Sequence, residues 1–210
     1  MVKALILDFD GVICQTETFK LDQMKCFIEN LGIYVSKKEL YQLAGGRILE
    51  NKSILDRILG GQKRYWTERE KILSFRPECV PIASLKTDRI VETLQAVKDR
   101  KIRLAVASNS TKERLYRVLS ECELLQYFDY IVPAFELKTR KPDPYVYLYT
   151  MKRMGVSPKN CVIVEDSASG IQAGKAAGVK VIALKDRDSA IDQRMADIII
   201  THIDEILNFL

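Results

Sequence analysis

Residues 4–11 read ALILDFDG, a short apolar run that ends in two aspartates with one residue between them, followed by glycine. Four consecutive apolar residues predict a buried strand, and the acids and Gly11 predict that this strand ends in a loop. Similar apolar runs recur along the chain, with amphipathic helical patterns between them. We predict further strands at residues 102–107, 130–132, 161–164, 179–184 and 198–200.

Four helical patterns lie between these strands, at residues 90–100, 111–122, 144–154 and 168–177. Gly155 and Gly178 follow two of them, at positions where helices commonly stop. Regular alternation of apolar strands and helices is typical of a parallel sheet covered on both faces, in which ligands bind beyond the carboxyl ends of the strands. The sequence therefore predicts an α/β fold with a Rossmann-like parallel-sheet core and a site at the end of the first strand.

An insertion interrupts this alternation after the first strand. It contains helical patterns near residues 17–31, 37–43, 48–59 and 67–74, and no convincing strand. We predict a core domain formed by residues 1–15 and 83–210, and an inserted α-helical cap domain formed by residues 16–82. Its hinges are expected near residues 14–17 and 76–84, because Pro77 and Pro81 interrupt helix and favour extended chain.

The composition excludes several classes of function. The 210 residues include 47% hydrophobic and 29% charged side chains, which is typical of a globular protein. The net charge of +5 is spread along the chain, and without a basic cluster or reading motif we expect no nucleic-acid partner. The five cysteines form no C-x-x-C pair, and no apolar run suits a membrane span. We expect a cytoplasmic monomer.

Asp8 and Asp10 are the first candidates for chemistry. Two carboxylates held together repel each other unless a cation or a shared proton offsets their charge, so the pair predicts a hard divalent metal such as Mg²⁺. The alternative is a loop of solvated acids that caps a helix. Glu165 and Asp166 are paired acids directly after another apolar run. A helix cap is the alternative for them too.

Two further strand ends carry groups suited to an anion. Ser108 and Asn109 open a helix, where free backbone N–H groups favour a bound phosphate, although Ser110 or Asn109 could instead serve as the helix cap. Lys141 precedes Pro142 in the stretch KPDP, where it could offer positive charge to a phosphoryl group. The alternative for Lys141 is a solvated basic loop.

The order acid, hydroxyl, lysine and acid at four strand ends resembles the haloacid dehalogenase superfamily, in its phosphatase and phosphomutase branch with a helical cap. The resemblance covers nearly the whole chain. Residues 8–12, DFDGV, match the family's first motif, D-x-D-G-[VT]. The match implies that Asp8 is the nucleophile and that Asp10 is the general acid and base. The family's catalytic lysine falls on Lys141, in the stretch KPDP.

The resemblance also implies the ligands of the site. The family's hydroxyl falls on Ser108, and Asn109 is expected to touch phosphate as well. Magnesium is expected to be held by the Asp8 carboxylate, the Asp10 backbone carbonyl and Asp166, with Glu165 acting directly or through water. The predicted metal ligands are therefore Asp8, Asp10, Glu165 and Asp166.

Selectivity is expected to reside in the cap. Residues 44–47, AGGR, correspond to a cap loop that reaches the substrate in related sugar-phosphate enzymes, which makes Arg47 a candidate substrate contact. Lys20 is a second one, and it stands where beta-phosphoglucomutases carry a histidine in the first cap helix. The expected activity is therefore Mg²⁺-dependent hydrolysis of a small phosphorylated metabolite through an aspartyl phosphate. The alternatives are a phosphomutase and a noncatalytic phosphate-binding regulatory protein. The presence of both Asp8 and Asp10 argues against the noncatalytic protein.

Overall fold

The computed structural model describes residues 1–43, 52–76, 82–185 and 191–210. The chain divides into two compact units. Of the described residues, the larger unit comprises 1–15, 82–185 and 191–210, and the smaller comprises 16–43 and 52–76. The predicted core domain, residues 1–15 and 83–210, and the predicted inserted domain, residues 16–82, stay predictions. That the smaller unit acts as a cap stays a prediction.

The larger unit is built on a six-stranded sheet in which every neighbouring pair is parallel. Its strands are β1 (Ala4–Leu7), β2 (Arg103–Ser108), β3 (Tyr130–Pro133), β4 (Cys161–Glu165), β5 (Lys180–Leu184) and β6 (Ile198–Ile200). The spatial order is β3-β2-β1-β4-β5-β6, so that β1 lies between β2 and β4. All six strands were predicted, and the predicted α/β parallel-sheet fold is confirmed.

Eight α-helices lie in the described residues. They are α1 (Thr16–Asn30), α2 (Lys37–Leu40), α3 (Lys52–Leu59), α4 (Lys63–Leu73), α5 (Ile90–Asp99), α6 (Lys112–Glu121), α7 (Tyr145–Met154) and α8 (Ala168–Ala176). The last four match the predicted helices between strands. The start predicted for the fourth cap helix, residue 67, is wrong: α4 begins at Lys63, because Lys and Arg favour helix and Tyr65 extends the apolar face into the core.

Helices cover both faces of the sheet. Successive side chains of each strand point to opposite faces, so each strand contributes to two apolar clusters. Leu5 and Leu7 of β1 pack in one apolar cluster with α5 and α6. Ala4 and Ile6 pack in the other, with α7 and α8. Since apolar packing occupies both faces, the carboxyl ends of the strands are where polar side chains can gather.

The smaller unit has its own apolar core, which includes Ile28, Leu55 and Tyr65. Beside it, Asp56 accepts hydrogen bonds from Arg69 and from the Tyr65 hydroxyl, with Arg69 Nε at 2.7 Å. None of the described helices combines the length and the apolar composition that a membrane span needs.

Hydrogen bonds within the larger unit tie together the two chain segments next to the insertion. The Gln15 amide nitrogen donates to the Thr87 hydroxyl at 3.0 Å, and the Gln15 backbone N–H donates to the Leu85 carbonyl at 2.8 Å. Cys14 also forms an antiparallel bridge with Lys86. The positions where the chain leaves and re-enters the sheet unit are thus fixed next to each other, just after the first motif.

Candidate active site

The ammonium of Lys141 lies at the centre of a polar cluster at the carboxyl ends of β1, β2 and β4. It donates to Asp8 Oδ1, to Glu165 Oε1 at 2.6 Å and to the Ala107 carbonyl at 2.8 Å. These three acceptors use all three hydrogens of the ammonium. Its side chain is only 3% exposed. The alternative of a solvated basic loop is therefore wrong for Lys141.

Glu165, at the end of β4, is fully buried and surrounded by donors. Oε1 also accepts from the Tyr147 hydroxyl at 2.6 Å. Oε2 accepts from the backbone N–H groups of Asp166 and Ser167, at 3.1 and 3.2 Å, and from the Ser167 hydroxyl at 3.0 Å. Protein donors thus hold both oxygens of Glu165. Tyr147 was not predicted as a site residue, because nothing in the helical pattern of α7 indicates which buried hydroxyl faces the sheet edge.

Asp8 and Asp166, unlike Glu165, have carboxylate oxygens that accept no hydrogen bond from the described chain. Within the described chain, no group donates a hydrogen bond to Asp8 Oδ2 or to the Asp166 carboxylate. One carboxylate oxygen each from Asp8, Glu165 and Asp166 lie within 4.8 Å of one another. Three carboxylates and one ammonium leave two formal negative charges, which one divalent cation would balance. Oxygen donors of this kind suit Mg²⁺.

Burial is the main cause of the raised pKa values of the acids in this cluster. Burial raises the pKa of Asp8 from its usual 3.8 to about 8, although Lys141 opposes the shift. Burial, with the charges of Glu165 and Asp8, raises the pKa of Asp166 well above its usual value. Burial alone would lower the pKa of Lys141, but Asp8 and Glu165 outweigh it and the pKa is raised, so the ammonium stays charged.

Ser108 and Asn109 lie at the end of β2, beside the Lys141 segment. The buried Ser108 hydroxyl accepts from the Ser110 backbone N–H at 3.2 Å, and the Asn109 side-chain carbonyl accepts from the Lys141 backbone N–H at 3.0 Å. The suggested helix caps, Ser110 or Asn109, are wrong: Thr111 caps α6, and its hydroxyl accepts from the Arg114 N–H at 3.4 Å. Neither Ser108 nor Asn109 therefore caps α6.

The Asp10 carboxylate stands apart from the three-carboxylate cluster. Both of its oxygens accept from Arg114, at 2.6 and 2.7 Å, and one accepts from the Ser110 hydroxyl at 3.1 Å. The resemblance assigned the backbone carbonyl of Asp10, not its carboxylate, to the metal. Arg114 was not among the predicted site residues. The available signal was an arginine in the first turn of a helix, where the helix dipole disfavours a positive charge.

The family model for haloacid dehalogenase-like hydrolases matches residues 5–184, which is most of the chain. The chain belongs to the haloacid dehalogenase-like hydrolases. The predicted family is therefore confirmed.

Relatives of this haloacid dehalogenase-like chain include named phosphatases. A phosphorylated carbohydrates phosphatase from Thermotoga maritima is 30% identical over 189 residues, covering 86% of this chain and 84% of the relative. Hexitol phosphatase B from Escherichia coli is 28% identical over 217 residues, covering 98% and 94%. These relatives confirm the predicted enzyme class, a haloacid dehalogenase-like phosphatase.

Solved structures extend the likeness to the fold. A beta-phosphoglucomutase from Clostridium difficile superposes with a TM-score of 0.66, covering 98% of this chain and 93% of that one. At 24% sequence identity this likeness shows the shared fold alone.

Two predicted site residues of this haloacid dehalogenase-like chain come from the inserted segment of the sequence. Lys20 is an exposed residue of α1. Arg47 lies outside the described residues. Their roles as substrate contacts stay predictions.

Gly11 provides space for Asp166, and its replacement gives a testable prediction. Its φ of +83° is one that side-chain-bearing residues rarely adopt, and a Cβ there would lie 1.9 Å from Asp166 Oδ2. We expect Gly11→Ala to lower the free energy of unfolding by about 1–3 kcal/mol. It should also weaken Mg²⁺ binding about 10- to 100-fold, because Asp166 must move. Urea unfolding and calorimetric Mg²⁺ titration measure the two effects.

The matched control is Gly61→Ala, since a Cβ at Gly61 would meet nothing within 4 Å. It should leave both quantities unchanged. Tight Mg²⁺ binding by the Gly11→Ala protein would contradict the assigned role of Asp166.

Proposed function

We propose that this chain is a Mg²⁺-dependent hydrolase that removes phosphate from a small phosphorylated metabolite, a sugar phosphate, through an aspartyl phosphate on Asp8. The observation that carries the proposal is the contact between the Lys141 ammonium and Asp8 Oδ1 in a buried cluster. An anionic nucleophile can approach an anionic phosphoryl group only where fixed positive charge offsets their repulsion. The names of the phosphatase relatives support the substrate class.

Asp8 is suited to attack phosphorus because Lys141 binds one of its oxygens, Oδ1, and the described chain donates nothing to the other. In the first step a carboxylate oxygen of Asp8 forms a bond to phosphorus, and the bond from phosphorus to the ester oxygen breaks. The departing alkoxide takes a proton from Asp10. The products of this step are an alcohol and the phosphorylated Asp8 side chain.

Water then cleaves the aspartyl phosphate. As the water oxygen bonds to phosphorus, Asp10 accepts a proton from it, and the bond from phosphorus to the Asp8 oxygen breaks. Asp8 returns as a carboxylate, Asp10 returns protonated, and inorganic phosphate leaves. Lys141 remains paired with Asp8 and Glu165 in the free protein, which keeps the nucleophile oriented between turnovers.

The carboxylates of Asp8 and Asp166, with Glu165 and the backbone carbonyl of Asp10, would hold Mg²⁺. When bound, the cation supplies positive charge to the phosphoryl oxygens. Glu165 shares its oxygens with Lys141, Tyr147 and two backbone N–H groups. Its larger role is therefore to position Lys141 and the loop that carries Asp166.

Phosphorus NMR tests the proposal. The purified protein is incubated with Mg²⁺ and a panel of sugar phosphates that includes beta-glucose 1-phosphate with a trace of glucose bisphosphate. We expect inorganic phosphate to appear and its rate to rank the substrates. The control is the same protein with the Mg²⁺ chelated, in which release should stop.

Two results would overturn the proposal. Conversion of the 1-phosphate to a 6-phosphate without phosphate release would make the protein a phosphomutase. Binding of phosphate esters with no turnover of any member of the panel would make it a noncatalytic binding protein.

A further inference from the structure

Arg114 meets the carboxylate of Asp10 with two parallel hydrogen bonds. Its Nη2 lies 2.6 Å from Oδ1, and its Nη1 lies 2.7 Å from Oδ2. The two residues are 104 positions apart in the chain. Such a fork fixes both the distance and the plane of the carboxylate, which a single hydrogen bond or a lysine would not do.

Arg114 is itself anchored on the first motif. Its guanidinium lies over the ring of Phe9, 5.3 Å from the ring centroid, and Phe9 is fully buried. Its Nη1 also donates to the Ser110 hydroxyl, which in turn donates to Asp10 Oδ2 at 3.1 Å. The residue between the two aspartates of the motif thus serves as a platform for the cation that holds the second aspartate.

The stability of α6 does not explain this arginine. Arg114 lies in the first turn of the helix, directly after the cap at Thr111, where the helix dipole disfavours a cation. The pair also differs from an ordinary surface ion pair. The side chains of Arg114 and Asp10 are 25% and 21% exposed, whereas those of Arg194 and Asp192 are 89% and 55% exposed. Exposed pairs of the second kind contribute little.

We propose that Arg114 is a positioning residue that fixes the Asp10 carboxylate for proton transfer at the leaving oxygen. The inference rests on the proposed function, in which Asp10 protonates the departing alkoxide. The fork removes rotation of the carboxylate about its own axis, so that one geometry is presented to the substrate in every turnover. Arg114 touches neither phosphorus nor the nucleophile in this role.

The test compares two leaving groups in the first turnover of Arg114→Gln. An alkyl phosphate, the best sugar phosphate of the panel, needs a proton on its leaving oxygen, whereas p-nitrophenyl phosphate releases a stable anion without one. Rapid-quench measurement of the first turnover isolates this step from the later attack of water. We expect release of the sugar to slow about 10- to 100-fold, and the burst of p-nitrophenolate to change less than about threefold. KM should stay close to that of the unchanged protein.

Three further variants complete the design. Arg117→Gln, an exposed arginine of the same helix, is the matched control and should behave as the unchanged protein. Arg114→Lys keeps the charge without the fork, and it serves in place of Arg114→Gln if that variant does not fold. Arg114→Gly creates a space that added guanidinium should fill, restoring release of the sugar.

Three outcomes would overturn the inference: equal loss with both leaving groups, no loss with either, or faster release of the sugar. The last would mean that Arg114 holds Asp10 out of reach of the substrate. If the unchanged protein releases phosphate from the panel, the proposed function stands whatever the Arg114 variants do. If it releases none, both fall together.

Discussion

The Asp8→Asn protein is expected to fold and to lose at least about 10⁴-fold in turnover with every phosphate ester. The amide cannot form the acyl phosphate, although it keeps the size of the carboxylate and can still accept a hydrogen bond from Lys141. Phosphate release measured over long incubations gives the activity. Asp99→Asn, which changes an exposed acid at the end of α5, is the matched control and should keep full activity.

Asp8→Asn should also alter how stability depends on pH in the metal-free protein. The pKa of Asp8 is about 8 in the folded state, whereas the usual pKa of an aspartate, which applies to the unfolded chain, is 3.8. A carboxyl with a raised folded pKa destabilises the fold progressively as pH rises from 3.8 to about 8. The unchanged protein should therefore lose stability across this range relative to Asp8→Asn, as measured by thermal unfolding.

Two results would refute these assignments. Normal turnover by Asp8→Asn would show that another group attacks phosphorus. Parallel stability curves for the two metal-free proteins would show that the buried carboxyl does not titrate in this range.

Lys141→Met is expected to reduce both activity and stability. Removing the ammonium leaves Asp8 and Glu165 buried without their shared cation, which should lower the free energy of unfolding by about 3–5 kcal/mol. Turnover should fall at least about 10³-fold, since positive charge beside the nucleophile is lost. Urea unfolding and phosphate release measure the two effects.

The effect of added Mg²⁺ on the melting temperature shows whether Lys141→Met loses stability through lost charge or through lost packing. Because the variant site carries one more uncompensated negative charge, added Mg²⁺ should raise the melting temperature of Lys141→Met more than that of the unchanged protein. Lys159→Met removes an exposed lysine and is the control, with no expected change. An equal Mg²⁺ shift in all three proteins would show that Lys141 does not share charge with the metal ligands.

The strands could be predicted because the larger unit is so regular. Each apolar run in it, from ALIL at residues 4–7 to III at residues 198–200, is a strand of the observed sheet. Parallel strands buried on both faces leave a strong signal of this kind. The helix α4 was less predictable at its start, because Lys63 and Arg64 are polar and join the helix by propensity rather than by pattern.

The site could be predicted as a set of strand ends but not as a set of contacts. Because parallel strands share one carboxyl edge, Asp8, Glu165 and the Lys141 segment were expected together, and the structure brings them together. The partners Arg114 and Tyr147 project from the first turns of α6 and α7 and contact Asp10 and Glu165 directly. The spacing of residues along the chain does not indicate which helical side chain faces a given strand end. These two contacts could therefore not be predicted from the sequence.

Because β1 lies between β2 and β4, its two neighbouring strands are synthesised at different times. β1 precedes the other five strands in the chain, yet it pairs with residues 103–106 on one side and residues 161–164 on the other. Ribosomes add about 5–20 residues per second, so one edge of β1 waits several seconds after β2 emerges for its second neighbour. For most of that interval the nascent chain lacks Lys141, and for all of it Glu165 and Asp166 are missing, so the three-carboxylate cluster cannot form until β4 has been synthesised.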